Sequence, residues 1–162
     1  MSIGAYAFLA FEDPEQLLPA VDTVRSTPGV LHWHAIEGHY HLAIAADTAD
    51  AVAALRSLPG LVDVAVCTVA KEMISTGSLS SEHTHAYISM EIAPDTQERI
   101  LSTLAADGGP QWGMLAATDC GIVGVLSAES FDAIERTINS VVRPLDGVLR
   151  LKRDWIIDLT QL

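Results

Sequence analysis

One pattern runs through this chain twice. An alternating apolar segment from Ala5 to Phe11 leads into a helical pattern. Pro28, Gly29 and Val30 follow, then two alternating segments around Gly38, a second helical pattern, Pro59, Gly60 and Leu61, and a last alternating segment from Val62 to Val69. The second half repeats the order: an alternating segment from His85 to Ile92, a helical pattern, Gly108, Gly109 and Pro110, two apolar segments around Thr118 and Asp119, a helical pattern, Gly147 and Val148, and alternation from Leu149 to Leu159. Each half therefore reads βαββαβ. Such a unit lays both helices on one face of a four-stranded antiparallel sheet and leaves the other face without a helical cover. The expected division is 1–74 for the first copy, a small polar linker at 75–82, and 83–162 for the second.

The helices carry readable signals. Pro14 fits the first turn after Asp13, and Leu17, Leu18, Val21 and Val24 then share a face; Pro19 is expected to bend or delay this helix. Asp47 and Thr48 cap a second helix that turns Ala51, Val52 and Leu55 inward. Asp95 with Glu98 has capping-box spacing ahead of Ile100, Leu101 and Leu104. Ser130 caps a fourth helix with Ile134, Ile138 and Val141 inward. In the last strand Leu149, Leu151, Trp155, Ile157 and Leu159 face one way, with Arg153 the exception; Arg150, Lys152, Asp154 and Asp158 face the other way in cross-strand pairs.

Composition narrows the function. The 162 residues are 49% hydrophobic, enough for a core. Nine Lys+Arg stand against 21 Asp+Glu, a net charge of -12 that argues against nucleic acid and against an anionic membrane surface. No apolar run reaches the roughly 18 residues of a spanning helix. Residues Met1 to Phe8 contain no basic stretch of signal-peptide type, so a cytoplasmic location is expected. Cys67 and Cys120 lack a Cys-x-x-Cys spacing and read as two buried thiols.

The stretch from Gly29 to Ala46, followed by a helix and by Leu58 to Val64, resembles the effector-binding domain of the Lrp/AsnC family of regulators. The shared elements are Pro28, Gly29 and Val30 before the second strand, the glycine-centred hairpin at Gly38, and Pro59 and Gly60 before the last strand. The second half fits more loosely through Gly147 and Val148. The resemblance implies an α+β fold of two tandem ferredoxin-like βαββαβ units, with small molecules bound at interfaces between protomers. Two departures limit it. No helix-turn-helix precedes Ala5, so DNA binding is not carried over. The family hairpin commonly reads Gly-x-x-Asp, whereas this one reads Gly38, His39, Tyr40, His41, so recognition of an amino acid through that acid is not carried over either.

All six histidines occur as His-x-His: His32 with His34, His39 with His41, and His83 with His85. Alternation puts both members of a strand pair on one face. If Leu31, Trp33 and Ala35 share the core with Tyr40, Leu42 and Ile44, the connection is even, Ala35 pairs with Tyr40 and His34 with His41. His32, His34 and His41 then occupy the face away from the helices, with His39 at its rim. Neutral imidazoles so spaced suit Zn, Cu, Ni or Fe. They equally suit a polar interface, or a contact that loosens on protonation. Trp33, Trp112, Trp155, Met90 and Met114 read as core.

Two ligand-binding functions follow, beside a third reading as a purely structural assembly unit. One is a sensing module for a small-molecule effector or metal ion, using Gly38, His39, His41 and Asp119, self-associating and acting through a regulatory protein partner. The other is a metal- or haem-dependent enzyme or metal carrier of the dimeric α/β-barrel type, using His32, His34, His39, His41, His83 and His85. No Gly-rich phosphate loop or GxSxG is present.

Overall fold

The computed structural model describes residues 2–75, 79–106 and 108–157. Four α-helices and eight strands make an α+β chain over these residues. The chain forms two compact units, one of residues up to 69 together with 156 and 157, the other of residues 70–155.

The first unit contains β1 (Ala5–Phe11), α1 (Leu17–Ser26), β2 (Val30–Glu37), β3 (Leu42–Ala46), α2 (Ala49–Ala53) and most of β4 (Leu61–Ser75). Its pairings are antiparallel and give the order β4-β1-β3-β2. Ala7, Leu9 and Phe11 of β1 and Leu42 and Ile44 of β3 form a core with Ala20, Val21 and Val24 of α1, Val52 of α2 and Leu55. Asp13 and Gln16 build a capping box on a 3-10 turn at Pro14–Gln16, and α1 starts only afterwards. Pro19 thus falls in the first turn of α1, where a missing N–H costs nothing. The delay also rotates the helix, so Leu18 is 63% exposed instead of turned inward, and Ala20 is buried.

The second unit contains β5 (Thr84–Ile92), α3 (Gln97–Leu104), β6 (Trp112–Thr118), β7 (Gly121–Ala128), α4 (Phe131–Thr137) and most of β8 (Val148–Ile157). The order is β8-β5-β7-β6. Ile88, Met90, Leu115, Ile122 and Leu126 pack on Ile100, Leu101, Leu104, Ile134, Ile138 and Val142. Ser130 caps α4 through the Ala133 N–H. A π turn at Ile138–Val142 then widens the helix by a residue, so Val142, not Val141, reaches the core. Asp95 is not the cap of α3: it takes φ 65°, and Thr96 precedes the helix. Gln97 instead donates from Nε2 to the carbonyls of Thr118 and Gly121 at 2.9 Å each, tying α3 to the β6–β7 turn.

Arg153 breaks the apolar alternation of β8 for a reason. It ion-pairs with Glu135 of α4 and stacks on Trp155, with its guanidinium carbon 4.4 Å from the ring centroid. Asp154, on the opposite face, is buried across from Tyr87 rather than exposed to solvent. The helix-free faces are not solvated: Tyr6, Phe8, Ala43 and Ala45 in the first unit and Tyr87, Val123 and Val125 in the second are all buried.

Cys67 in β4 is buried, Cys120 sits in the exposed β6–β7 turn, and both are disulfide-bonded; neither is the buried free thiol that the sequence suggested. Among the described residues no helix is long and apolar enough to cross a membrane. Residues 76–78 of the expected linker, and Asp158 and Leu159 of the expected last-strand alternation, lie outside the described residues.

Gly121 holds φ 132°, and a Cβ there would lie 2.0 Å from the Met90 carbonyl oxygen of β5. Gly108 also has positive φ, 80°, but nothing lies within 4 Å of its Cβ direction. Gly121→Ala is expected to cost at least ~2 kcal/mol and Gly108→Ala about 1 kcal/mol, since only the first adds a backbone clash to the conformational penalty. Urea midpoints of the two variants check the difference.

Candidate functional site

The face that β2 and β3 turn away from the helices is decided by their register. Trp33 lies opposite Ile44, and both pack with the helical core. The side chains between them in sequence point the other way, so His32, opposite Ala45, and His34, opposite Ala43, share the helix-free face. The expected pairing of Ala35 with Tyr40 and His34 with His41 is slid by two residues: Ala35 faces Leu42. A slide of two leaves every side chain on its face. The extra length has a cause. The Ile36 N–H donates to the His41 carbonyl, closing a connection of residues 37–40, while the His41 N–H donates to the Leu9 carbonyl. Tyr40 leaves the predicted core row and packs its ring on Phe8, 5.7 Å between centroids.

The four histidines of this unit are not equivalent. His32 Nδ1 is buried and has no hydrogen-bond partner among the described residues. Burial holds its imidazole below the ordinary histidine range, because the charged ring loses water. His34 meets it edge to face at 5.4 Å. His41 is already engaged: its Nδ1 accepts the Phe11 N–H at 2.8 Å, and its ring stacks on Phe11. His39, in the connection beside Gly38, stands 4.0 Å from Asp63 with both side chains more than half exposed.

In the second unit His83 and His85 line a small cavity of about 140 Å³ with Ser80, Gln111, Trp112 and Ser127. His85 is almost fully buried, with Nε2 2.6 Å from the Ser80 carbonyl and Nδ1 2.6 Å from Ser127 Oγ. A carbonyl only accepts, so Nε2 carries the proton, and in the neutral ring Nδ1 accepts from the serine hydroxyl. Asp119 lies at the exposed β6–β7 turn. Among the described residues no three His, Cys, Asp or Glu side chains come together as a group that could hold a metal ion.

Ser127 and Tyr87 carry no signal in the sequence alone, and Asp154 is read there only as a cross-strand pair. Their signal lies in strand pairing. Ser127 is directly opposite His85, and Asp154 opposite Tyr87, so all four side chains share the helix-free face of the second unit. Burial strongly raises the Tyr87 phenol above its ordinary value.

No protein-family model matches the chain. No curated protein matches it in sequence. Its fold is shared with solved structures. The siroheme decarboxylase NirDL, in complex with an iron-uroporphyrin III analogue, is 11% identical with a TM-score of 0.67, over 94% of this chain and 71% of that one. A mutant chlorite dismutase from Candidatus Nitrospira defluvii, in complex with cyanide, is 11% identical with a TM-score of 0.58, over 98% and 91%. A monooxygenase-like protein from Fusobacterium nucleatum is 11% identical with a TM-score of 0.55, over 95% and 90%. The chlorite dismutase and the monooxygenase-like neighbour have dimeric α+β-barrel folds, related to the ferredoxin-like fold. At this identity the likeness is one of fold.

The depressed His32 imidazole links stability to pH. Its folded-state pKa lies below the unfolded value of about 6.5, so the unfolded chain binds more protons as pH falls through that value. The His32 contribution is fully present above about pH 6.5 and is lost as pH falls through the folded pKa. The urea midpoint should drop between pH 7.5 and 5.5, and His32→Gln should shrink that drop. An equal drop in both proteins would contradict the assignment.

Proposed function

We propose that the chain is a ligand-binding protein of two tandem ferredoxin-like units, and that imidazoles on the helix-free face of the first unit meet a metal ion or a metal-bearing small molecule. The copies are taken as 1–74 and 83–162, joined by 75–82. The shared element order and strand order of the two units support the duplication. The neighbour complexed with an iron-uroporphyrin analogue makes an iron porphyrin one candidate ligand.

The observation that carries the reading is the buried, unpartnered Nδ1 of His32. An imidazole kept neutral by burial presents a lone pair when the proton sits on Nε2. That donor type suits Fe, Cu, Ni or Zn, and a single imidazole suits a metal that brings its other ligands with it, as iron in a porphyrin does. A bound transition metal would supply Lewis acidity or redox chemistry. His32 would hold it, and His34 would stand beside it. His39 and His41 are supporting positions, with His41 already bonded to the backbone. His83 and His85 belong to the second unit, where the His85 ring nitrogens are both engaged.

A second reading is effector sensing of the Lrp/AsnC type at the β2–β3 connection through Gly38, His39 and His41, with Asp119 at the corresponding turn of the second unit, acting through a regulatory protein partner. The exposed His39–Asp63 pair beside Gly38 favours it. Self-association belongs to either reading, and Leu18, Val62, Phe131 and Leu149 are exposed apolar side chains that a contact would cover.

Titration of the tag-free protein with haemin, and separately with Zn²⁺, tests the first reading. Saturable one-to-one binding of at least one of them is expected, weakened at least ~10-fold in His32→Ala, since loss of a metal ligand exceeds the 10-fold to 100-fold cost of losing a supporting group. Affinity unchanged by His32→Ala, or no saturable binding of either, would overturn it. A thermal shift with free amino acids but with neither metal would favour the sensor.

A further inference from the structure

The cavity of the second unit holds a serine–histidine pair that the metal reading does not use. His85 and Ser127 are each only 9% exposed, yet both line the same void of about 140 Å³. A cross-strand hydrogen bond made for stability alone needs no void beside it. The void matches in volume the acyl group of a small ester with, at roughly 30 Å³ per water, a hydrolytic water beside it. It is too small for a drug-sized ligand, whose pockets are about 300–1,000 Å³.

The pair is arranged as a nucleophile and its base. Ser127 Oγ lies 2.6 Å from His85 Nδ1, within the reach that proton transfer requires. The far nitrogen, Nε2, donates to the Ser80 carbonyl at 2.6 Å, which selects the tautomer and keeps Nδ1 free of its own proton. The same carbonyl would stabilise the imidazolium that forms when Nδ1 takes up a proton. An orienting acceptor behind the base is the logic of hydrolytic triads, here with a backbone carbonyl in the third place and the two ring nitrogens exchanged. Ser80 is itself held in a turn, its Oγ accepting the Glu82 N–H at 3.2 Å. Gln111 lines the void and brings a side-chain amide that can donate to a developing oxyanion.

We propose that this cavity is a second site, one that hydrolyses esters of short carboxylic acids through an acyl-serine at Ser127. Ser127 Oγ adds to the ester carbonyl carbon while its proton passes to His85 Nδ1, and the carbonyl electron pair moves to oxygen. That pair returns as the bond to the alkoxide breaks, and the alkoxide takes the proton from Nδ1. A water repeats both steps on the acyl-serine, giving the carboxylic acid and restoring Ser127 and His85. The balance is ester plus water to acid plus alcohol, with no oxidant or reductant.

The test uses the full-length protein with p-nitrophenyl acetate as substrate and phenylmethylsulfonyl fluoride as label. Label is expected at one equivalent on the peptide that contains Ser127. Hydrolysis should fall at least ~100-fold in Ser127→Ala and in His85→Gln, the lower range for losing a nucleophile–base pair. Ser127→Cys keeps a nucleophile at the same place and guards against a folding defect: it should take up iodoacetamide at residue 127 faster with His85 present than in the double variant with His85→Gln. Equal hydrolysis by the native protein and Ser127→Ala, an unlabelled Ser127, or an alkylation rate indifferent to His85 would each overturn the proposal.

Discussion

A β-strand can give only every second side chain to the helices that cover its sheet. The placement of His32, His34, His85 and Ser127 follows from that limit. In β2 the helices take Trp33, which leaves His32 and His34 on the opposite face beside Ala43 and Ala45. In β5 they take Ala86, Ile88 and Met90, which leaves His85 and Tyr87 opposite Ser127 and Val125. The two units use one pattern, and in both the face without helices carries buried apolar residues beside its polar side chains, half-buried at His32 and His34 and buried at His85 and Ser127.

Burial makes those side chains consequential. A polar atom taken from water and left unpaired costs about 1–3 kcal/mol. His41 avoids the cost by accepting from the Phe11 N–H, and His85 avoids it with two partners. His32 does not avoid it at Nδ1. Among the imidazole nitrogens discussed, the atom that a ligand would satisfy is therefore the one whose retention is least explained by stability. In the second unit Arg153 Nε is likewise buried without a hydrogen-bond partner, whereas at His85 the cost is met, and the space beside that satisfied pair is what stands out.

Much of this was legible in the sequence because it depends on period and parity. The βαββαβ order followed from alternation and glycine placement, and the face of His32 and His34 followed from Trp33, Leu42 and Ile44. The slide of β2 on β3 by two residues was not legible, since the bonds that set it run from His41 to Leu9 and Phe11 of β1, thirty residues away for Phe11. The same holds for the π turn that trades Val141 for Val142, which no local propensity announces. Arg153 looked like an exception to an apolar row until its partner Glu135 on α4 and the ring of Trp155 explained it. Ser127 carried no motif, and only the β5–β7 register brings it to His85.

The central claim is that the six histidines divide into one ring with a buried unpartnered nitrogen and others with structural or separate duties. Long-range ¹H–¹⁵N spectra of the imidazoles, recorded before and after addition of one equivalent of Zn²⁺, test it most directly. The account predicts Nε2–H tautomers for His41 and His85 that do not change, and a large ¹⁵N shift of His32 Nδ1 on addition of metal. A His32 ring that stays unchanged while His41 or His85 shifts would contradict it.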